Sequence, residues 1–161
     1  MAELTRTHPL DAWTASFAAL SPAVSISVQP YVPMFNVRSA PPTGPNTWVD
    51  LDAGRAVWLG PDEWLSIGAL PSGGSVTDVS AQRIIVRLTG ARVRQVLPKG
   101  CAIDLHPRVF GRGRTAQTTL GRAGVVLLSL SESGDDYLVL VRSSFAGYLA
   151  DWLLDAALEF G

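Results

Sequence analysis

The sequence predicts an α+β fold, a mostly antiparallel sheet with helices on one face. Three observations carry that prediction. Short apolar runs recur between tight-turn sequences along most of the chain. Helical periodicity is confined to the two ends and one short central stretch, without the regular strand–helix alternation of a parallel sheet. The closing segment is strongly amphipathic. The 161 residues read as a single domain, with residues 1–46 a front segment ending in a Pro-rich linker and 47–161 the core.

The elements follow in order. Leu10, Trp13, Phe17 and Leu20 form an apolar stripe at helical spacing, with Pro9 at the expected first helical position and Ser21-Pro22 as the stop. Val24, Ile26 and Val28 alternate with serines and predict a half-buried strand, and Met34 to Val37 a second. Pro41-Pro42-Thr43-Gly44-Pro45-Asn46 is a loop. Strands are expected at Ala56 to Leu59, Trp64 to Ile67, Val76 to Val79 and Arg83 to Leu88. Gly60-Pro61-Asp62 turns the first two into a hairpin that brings Trp58 and Trp64 opposite one another.

Thr89-Gly90 opens a two-turn helix carrying Val93, Val96 and Leu97, stopped by Pro98 and Gly100. A loop of about fifteen residues follows, long enough for a compact domain to suggest function. Thr115 to Leu120, Gly124 to Leu130 and Tyr137 to Val141 predict three antiparallel strands, the last two joined by Ser133-Gly134-Asp135. The final helix begins at a Ser143 or Ser144 cap and carries Phe145, Tyr148, Leu149, Trp152, Leu153, Ala156 and Phe160 along one face. Its other face carries Asp151, Asp155 and Glu159 at four-residue spacing, towards the end where the helix dipole disfavours anions. That violation predicts a nearby cation, from the basic segment or a partner.

Composition narrows the class. With 47% hydrophobic and 17% charged residues, the chain is globular rather than disordered. One cysteine cannot bridge internally and fits a reducing cytoplasm. No apolar run approaches the ~20 residues of a membrane span, and the opening residues do not read as a signal segment, so a cytoplasmic location is expected. The charge is polarised. Between Arg83 and Arg122 nine basic side chains meet one acid, Asp104, while the rest of the chain has four arginines against 13 acids. Such a segment suits an acidic partner surface, a polyanionic ligand or nucleic acid, and otherwise a solvated face.

Chemistry candidates are few. Cys101, Asp104 and His106 lie within six residues, but no nucleophile signature surrounds them, and a lone cysteine is more often a small buried hydrophobe. His8, beside Pro9, is no catalytic candidate. No CxxC pair or second histidine cluster suggests a metal, and Gly111-Arg112-Gly113-Arg114 is not a phosphate fingerprint. Only Phe110 interleaves the basic residues, which disfavours nucleic acid.

The basic segment and its flanks also carry a resemblance. The runs WLGPDEWLSIG (58–68), VTDVSAQRIIVRLTG (76–90), KGCAIDLHP (99–107), GRTAQT (113–118), RSSFA (142–146) and the closing EFG, in that order, resemble the gamma subunit of heterotetrameric sarcosine oxidase over about residues 56 to 161. The resemblance implies a complex that oxidatively demethylates sarcosine, or a related N-methyl amino acid, reduces oxygen to peroxide and passes the one-carbon unit to tetrahydrofolate. It implies a larger alpha subunit with beta and delta subunits as partners, and FAD, FMN and NAD on the large subunits with zinc on the smallest. No cofactor, metal or catalytic residue is expected on this chain.

The family's fold resembles the front part of the T-protein folate domain, which implies an alternative: a folate-binding one-carbon transfer protein. Asp104 would then meet a folate amine, and Arg112 and Arg114 the glutamate tail. Against this, the place of the T-protein acidic pair reads Gly124-Val125-Val126-Leu127-Leu128. The structural alternative has Asp104 buried and paired with Arg108 or Arg114. The reading preferred from the sequence is a non-catalytic assembly subunit whose loop docks on a larger chain through Lys99, Asp104, His106, Arg108, Arg112 and Arg114. Deprived of partners, such a chain is a candidate for homodimerisation through an uncovered apolar face.

Overall fold

The structure is a computed structural model that describes residues 7–161; residues 1–6, the front of the predicted N-terminal segment, lie outside the described residues. Its strands are β1 (Ser25–Val28), β2 (Met34–Arg38), β3 (Trp48–Leu51), β4 (Gly54–Gly60), β5 (Glu63–Ile67), β6 (Ser75–Asp78), β7 (Arg83–Thr89), β8 (Thr115–Leu120), β9 (Ala123–Ser129) and β10 (Asp136–Arg142). Its α-helices are α1 (Thr14–Ala18), α2 (Val93–Val96) and α3 (Ala146–Ala157). The expected antiparallel α+β architecture is present, with the strands divided between two sheets. The first runs β1-β7-β10-β9-β8 and the second β3-β4-β5-β2-β6.

The division follows from the side-chain pattern of the central strands. Along β7, β9 and β10 both alternating sets are apolar, so both faces of the first sheet need cover. Val86, Leu88, Leu127 and Val139 face the helices and pack with Leu10, Phe17, Leu149 and Leu153. Ile85, Val126, Leu128, Leu138 and Leu140 face the second sheet and pack with Met34, Val57, Leu65 and Ile67. Each such fully buried aliphatic side chain contributes about 1.5–3 kcal/mol.

Several expectations change in detail. The first helix is shorter than residues 10–20: a 3-10 turn, Asp11–Trp13, leads into α1, and Pro9 precedes it. The strand β3 was not expected; it pairs with β4 through Trp48↔Val57 across a turn closed by Gly54, at φ 149°. The Trp58↔Trp64 hairpin forms as predicted. Neither Ser143 nor Ser144 caps the last helix. Ser143 belongs to a 3-10 turn and its hydroxyl donates to Ala81 O at 2.8 Å, while Phe145 holds the N-cap position without a side-chain bond. The buried face of α3 is Ala146, Leu149, Ala150, Leu153, Ala156 and Ala157; Phe145 and Tyr148 lie at the surface.

The acidic face of α3 finds two of its three partners inside the chain. Trp13 Nε1 donates to Asp151 Oδ1 at 2.7 Å, tying the first helical turn to the last helix. Glu159 pairs with the ammonium of Lys99, which also donates to Ala156 O at 2.6 Å and lies over the Phe160 ring. A lysine on the last carbonyls satisfies groups that the helix end leaves open. Asp155 is exposed and has no such partner among the described residues. Asp155→Asn is therefore expected to raise stability by a few tenths of a kcal/mol, roughly 0.2–0.5, by removing like-charge repulsion, while Asp151→Asn and Glu159→Gln lower it. Urea denaturation of the three variants checks the opposite signs.

Candidate functional site

The loop from Gly100 to Arg114 leaves the 3-10 turn Leu97–Lys99 and ends at β8. Its path is fixed by what it buries. Cys101, Leu105 and Phe110 enter the helix-side core, and the Phe110 ring stacks on Tyr137 at 6.5 Å between centroids. Tyr137 is fully buried, its hydroxyl has no hydrogen-bond partner, and burial pushes its pKa up to about 12. At the start, Gly100 is wedged against α3: a Cβ there would stand 2.5 Å from the Trp152 ring and 2.6 Å from Gly121 N.

Between these anchors the loop presents its polar side chains. Asp104, His106, Arg108, Arg112 and Arg114 are all exposed. The Asp104 carboxylate accepts from His106 N at 2.8 Å, and His106 Nδ1 accepts from Arg108 N at 3.2 Å, so both side chains shape consecutive turns. This corrects the expectation of a buried Asp104 paired with Arg108 or Arg114: a short side chain that bonds its own backbone two residues on stays at the surface. Val109 is 55% exposed, an aliphatic side chain between two arginine-bearing turns that sequence reasoning passed over. Cys101 is buried with its sulfur 3.9 Å from Thr118 Oγ1, while His106 points to solvent, so no Cys–His pair forms.

The second half of the loop joins the two sheets. Thr47 and Arg114 form a β-bridge, Trp48 N donates to Gly113 O at 2.8 Å, and Thr115 N donates to Asn46 O at 2.9 Å. Arg112 reaches Asp50 at 3.6 Å, and Asp50 also binds Arg55. Lys99, by contrast, is engaged with α3 as described. Of the nine basic residues of the segment, Arg87, Lys99 and Arg112 have acidic partners among the described residues, Arg87 through a bidentate pair with Asp136 at 2.6 and 2.9 Å. The loop's cations at Arg108 and Arg114 have none.

The β9–β10 turn supports the loop from the side. A Cβ on Gly134 would come within 3.1 Å of Pro107, and Asp135 in that turn accepts from Ser133 Oγ at 2.6 Å. The Ser133 and Ser131 hydrogen bonds hold its carboxyl below the usual carboxylate range. Two cavities line other parts of the surface, one beside Tyr31 and one beside Arg142, and neither includes Asp104, Arg112 or Arg114. Among the described residues no His, Cys, Asp and Glu side chains gather to hold a metal, and no helix is long and apolar enough to cross a membrane.

Fold and site together define an α+β protein whose distinctive surface is a rigidly anchored, arginine-bearing loop. The comparisons make this specific. Residues 73–159 match the model of the "Sarcosine oxidase, gamma subunit family", and the chain belongs to that family. It is 40% identical over 121 residues to sarcosine oxidase subunit gamma of an Arthrobacter species and 39% identical over 123 residues to that of Corynebacterium sp. strain P-1. Each alignment covers 66% of this chain and 59% of the relative's length. A chain of the heterotetrameric sarcosine oxidase from Corynebacterium sp. U-96, in complex with pyrrole 2-carboxylate, superposes with a TM-score of 0.85 and 27% identity, covering 96% of both chains.

Two outcomes follow from the local geometry. Gly100→Ala forces Cβ into the Trp152 ring and backbone, and is expected to cost about 1–3 kcal/mol in chemical denaturation. Asp135, with a depressed pKa in the folded state, stabilises the fold above its unfolded value and loses that contribution as pH falls through its folded one. The Tm difference between wild type and Asp135→Asn should thus be full at neutral pH, begin to shrink as pH falls through the unfolded carboxyl value of about 4, and disappear only below the lower folded value.

Proposed function

We propose that this chain is a non-catalytic assembly subunit of a flavin-dependent sarcosine oxidase complex, with the exposed turns between Asp104 and Arg114 docking on a larger subunit. The observation that carries the reading is the correspondence, over nearly the whole chain, with a chain of a heterotetrameric sarcosine oxidase. In this reading the complex oxidatively demethylates sarcosine to glycine, or a related N-methyl amino acid to its demethylated amine, reduces oxygen to peroxide and passes the methyl carbon to tetrahydrofolate. Alpha, beta and delta subunits are the partners, FAD, FMN and NAD sit on the large subunits, and the assembly is cytoplasmic. The single buried cysteine agrees with a reducing compartment.

Chemistry supports the division of labour. Arg108 and Arg114 are displayed without acidic partners beside an exposed Val109, the mixture of guanidinium and apolar surface that interfaces favour. The folate alternative is not favoured. Asp104 spends one carboxylate oxygen on its own turn and lines neither cavity, and no acid stands at the start of β9.

Co-expression of the tagged chain with the other subunits, followed by purification, tests the reading. A yellow complex with sarcosine-dependent peroxide production is expected. Arg108→Glu/Arg114→Glu should reduce recovery of the larger subunit at least tenfold while leaving the Tm of the isolated chain nearly unchanged, as surface substitutions usually do. Undiminished recovery of the complex with the charge-reversed loop would contradict the docking assignment.

A further inference from the structure

Arg83 on β7 and Arg142 on β10 are direct register partners. Both lie on the face of the first sheet that looks toward the second, since Ile85 and Leu140, two residues away on each strand, belong to the inter-sheet core. Like charges directly opposite in an antiparallel pair oppose each other. Among the described residues neither guanidinium makes an ion pair. Arg83 is partly buried, and its Nη1 is shut away from solvent with no hydrogen-bond partner. An unmet buried donor on a charged group is costly and uncommon.

No acid among the described residues pairs with it. Glu63 at the neighbouring end of β5 is the carboxylate whose field reaches Arg83, but it accepts from Asn36 Nδ2 at 2.6 Å and pairs with Arg38 at 3.2 Å. Burial first, and then Arg142, lower the pKa of Arg83 from its ordinary value. The two arginines wall a cavity of about 560 Å³, within the range of small-molecule sites, about 300–1,000 Å³. Gln117 and Thr119 bring polar groups to the same wall, and Val126 and Leu140 supply an apolar one. Gln117 has committed its amide N–H to Leu59 O at 2.7 Å. Arg142 is exposed, which keeps the site open to solvent.

We propose that this cavity binds an oxyanion, a carboxylate or phosphate group held between the guanidiniums of Arg83 and Arg142. The planar fork of each arginine matches the paired oxygens of either group. Bound there, the anion offsets the repulsion between the two guanidiniums across the β7–β10 pair. The group is either a free small anion or a carboxylate side chain presented by a neighbouring subunit.

Thermal unfolding of the full chain in sodium phosphate and in sodium succinate, against sodium chloride at matched ionic strength, tests this. A saturable rise of several degrees in one or both anions is expected. The midpoint concentration should move at least tenfold higher in Arg142→Gln, an exposed position that tolerates substitution, and be less affected in Arg142→Lys. Repeating the titration on the assembled complex separates the two sources. A rise in both the chain and the complex identifies a free anion, and a rise in the chain alone identifies a partner carboxylate already in place. A Tm that follows ionic strength whatever the anion, or an anion-specific rise undiminished in Arg142→Gln, would overturn the proposal. The isolated-chain result does not depend on the subunit reading, so the two can fail separately.

Discussion

The burial of one sheet on both faces is the constraint on which this structure depends. Strands β7, β10 and β9 have no solvent side over most of their length, so successive residues must be apolar whichever way they point. That requirement calls for helices on one face and a second sheet on the other, and it explains why a chain with three short α-helices packs one large cluster of core residues against each face of that sheet. Where the apolar run stops, at Arg83 and Arg142, polar side chains line the first sheet's inner face.

The loop inherits its rigidity from this layering. It starts where the chain passes under α3 at Gly100, drops Leu105 and Phe110 into the helix-side core, and finishes bonded to the edge of the second sheet. A segment fastened at three places can display charged side chains without the entropy of a floppy loop, which lowers the cost of ordering it on a partner. The same three attachments leave Asp104, His106 and Arg108 with purely local bonds.

Much of this was legible in the sequence, for physical reasons. Turn residues marked most strands because Gly, Pro and Asn supply conformations that other residues resist, and the Gly60-Pro61-Asp62 hairpin fell where its turn sequence placed it. The loop stood out by its length without periodicity. The strand β3 was missed because four residues, Trp48–Leu51, offer too little alternation beside a Pro-rich stretch; the Asp52-Ala53-Gly54 turn was the available signal. The second sheet was readable in principle from the doubly apolar runs of β7, β9 and β10. The Trp13–Asp151 and Lys99–Glu159 pairings were not, since they join residues far apart in sequence. Only the anomaly of three acids on one helix face pointed to them, and it correctly required a cation from the basic segment for Glu159. The loop arginines were found by charge alone, whereas Val109 and the Arg83–Arg142 pair needed the register and burial that the fold supplies.

Hydrogen–deuterium exchange of the full chain, alone and in the assembled complex, reads the docking of the loop amide by amide. Amides from Ala102 to Arg112 are expected to exchange at least tenfold more slowly in the complex, while those of β7, β9 and β10 are protected equally in both. Unchanged exchange across that loop in a fully formed complex, with new protection on another face, would contradict it.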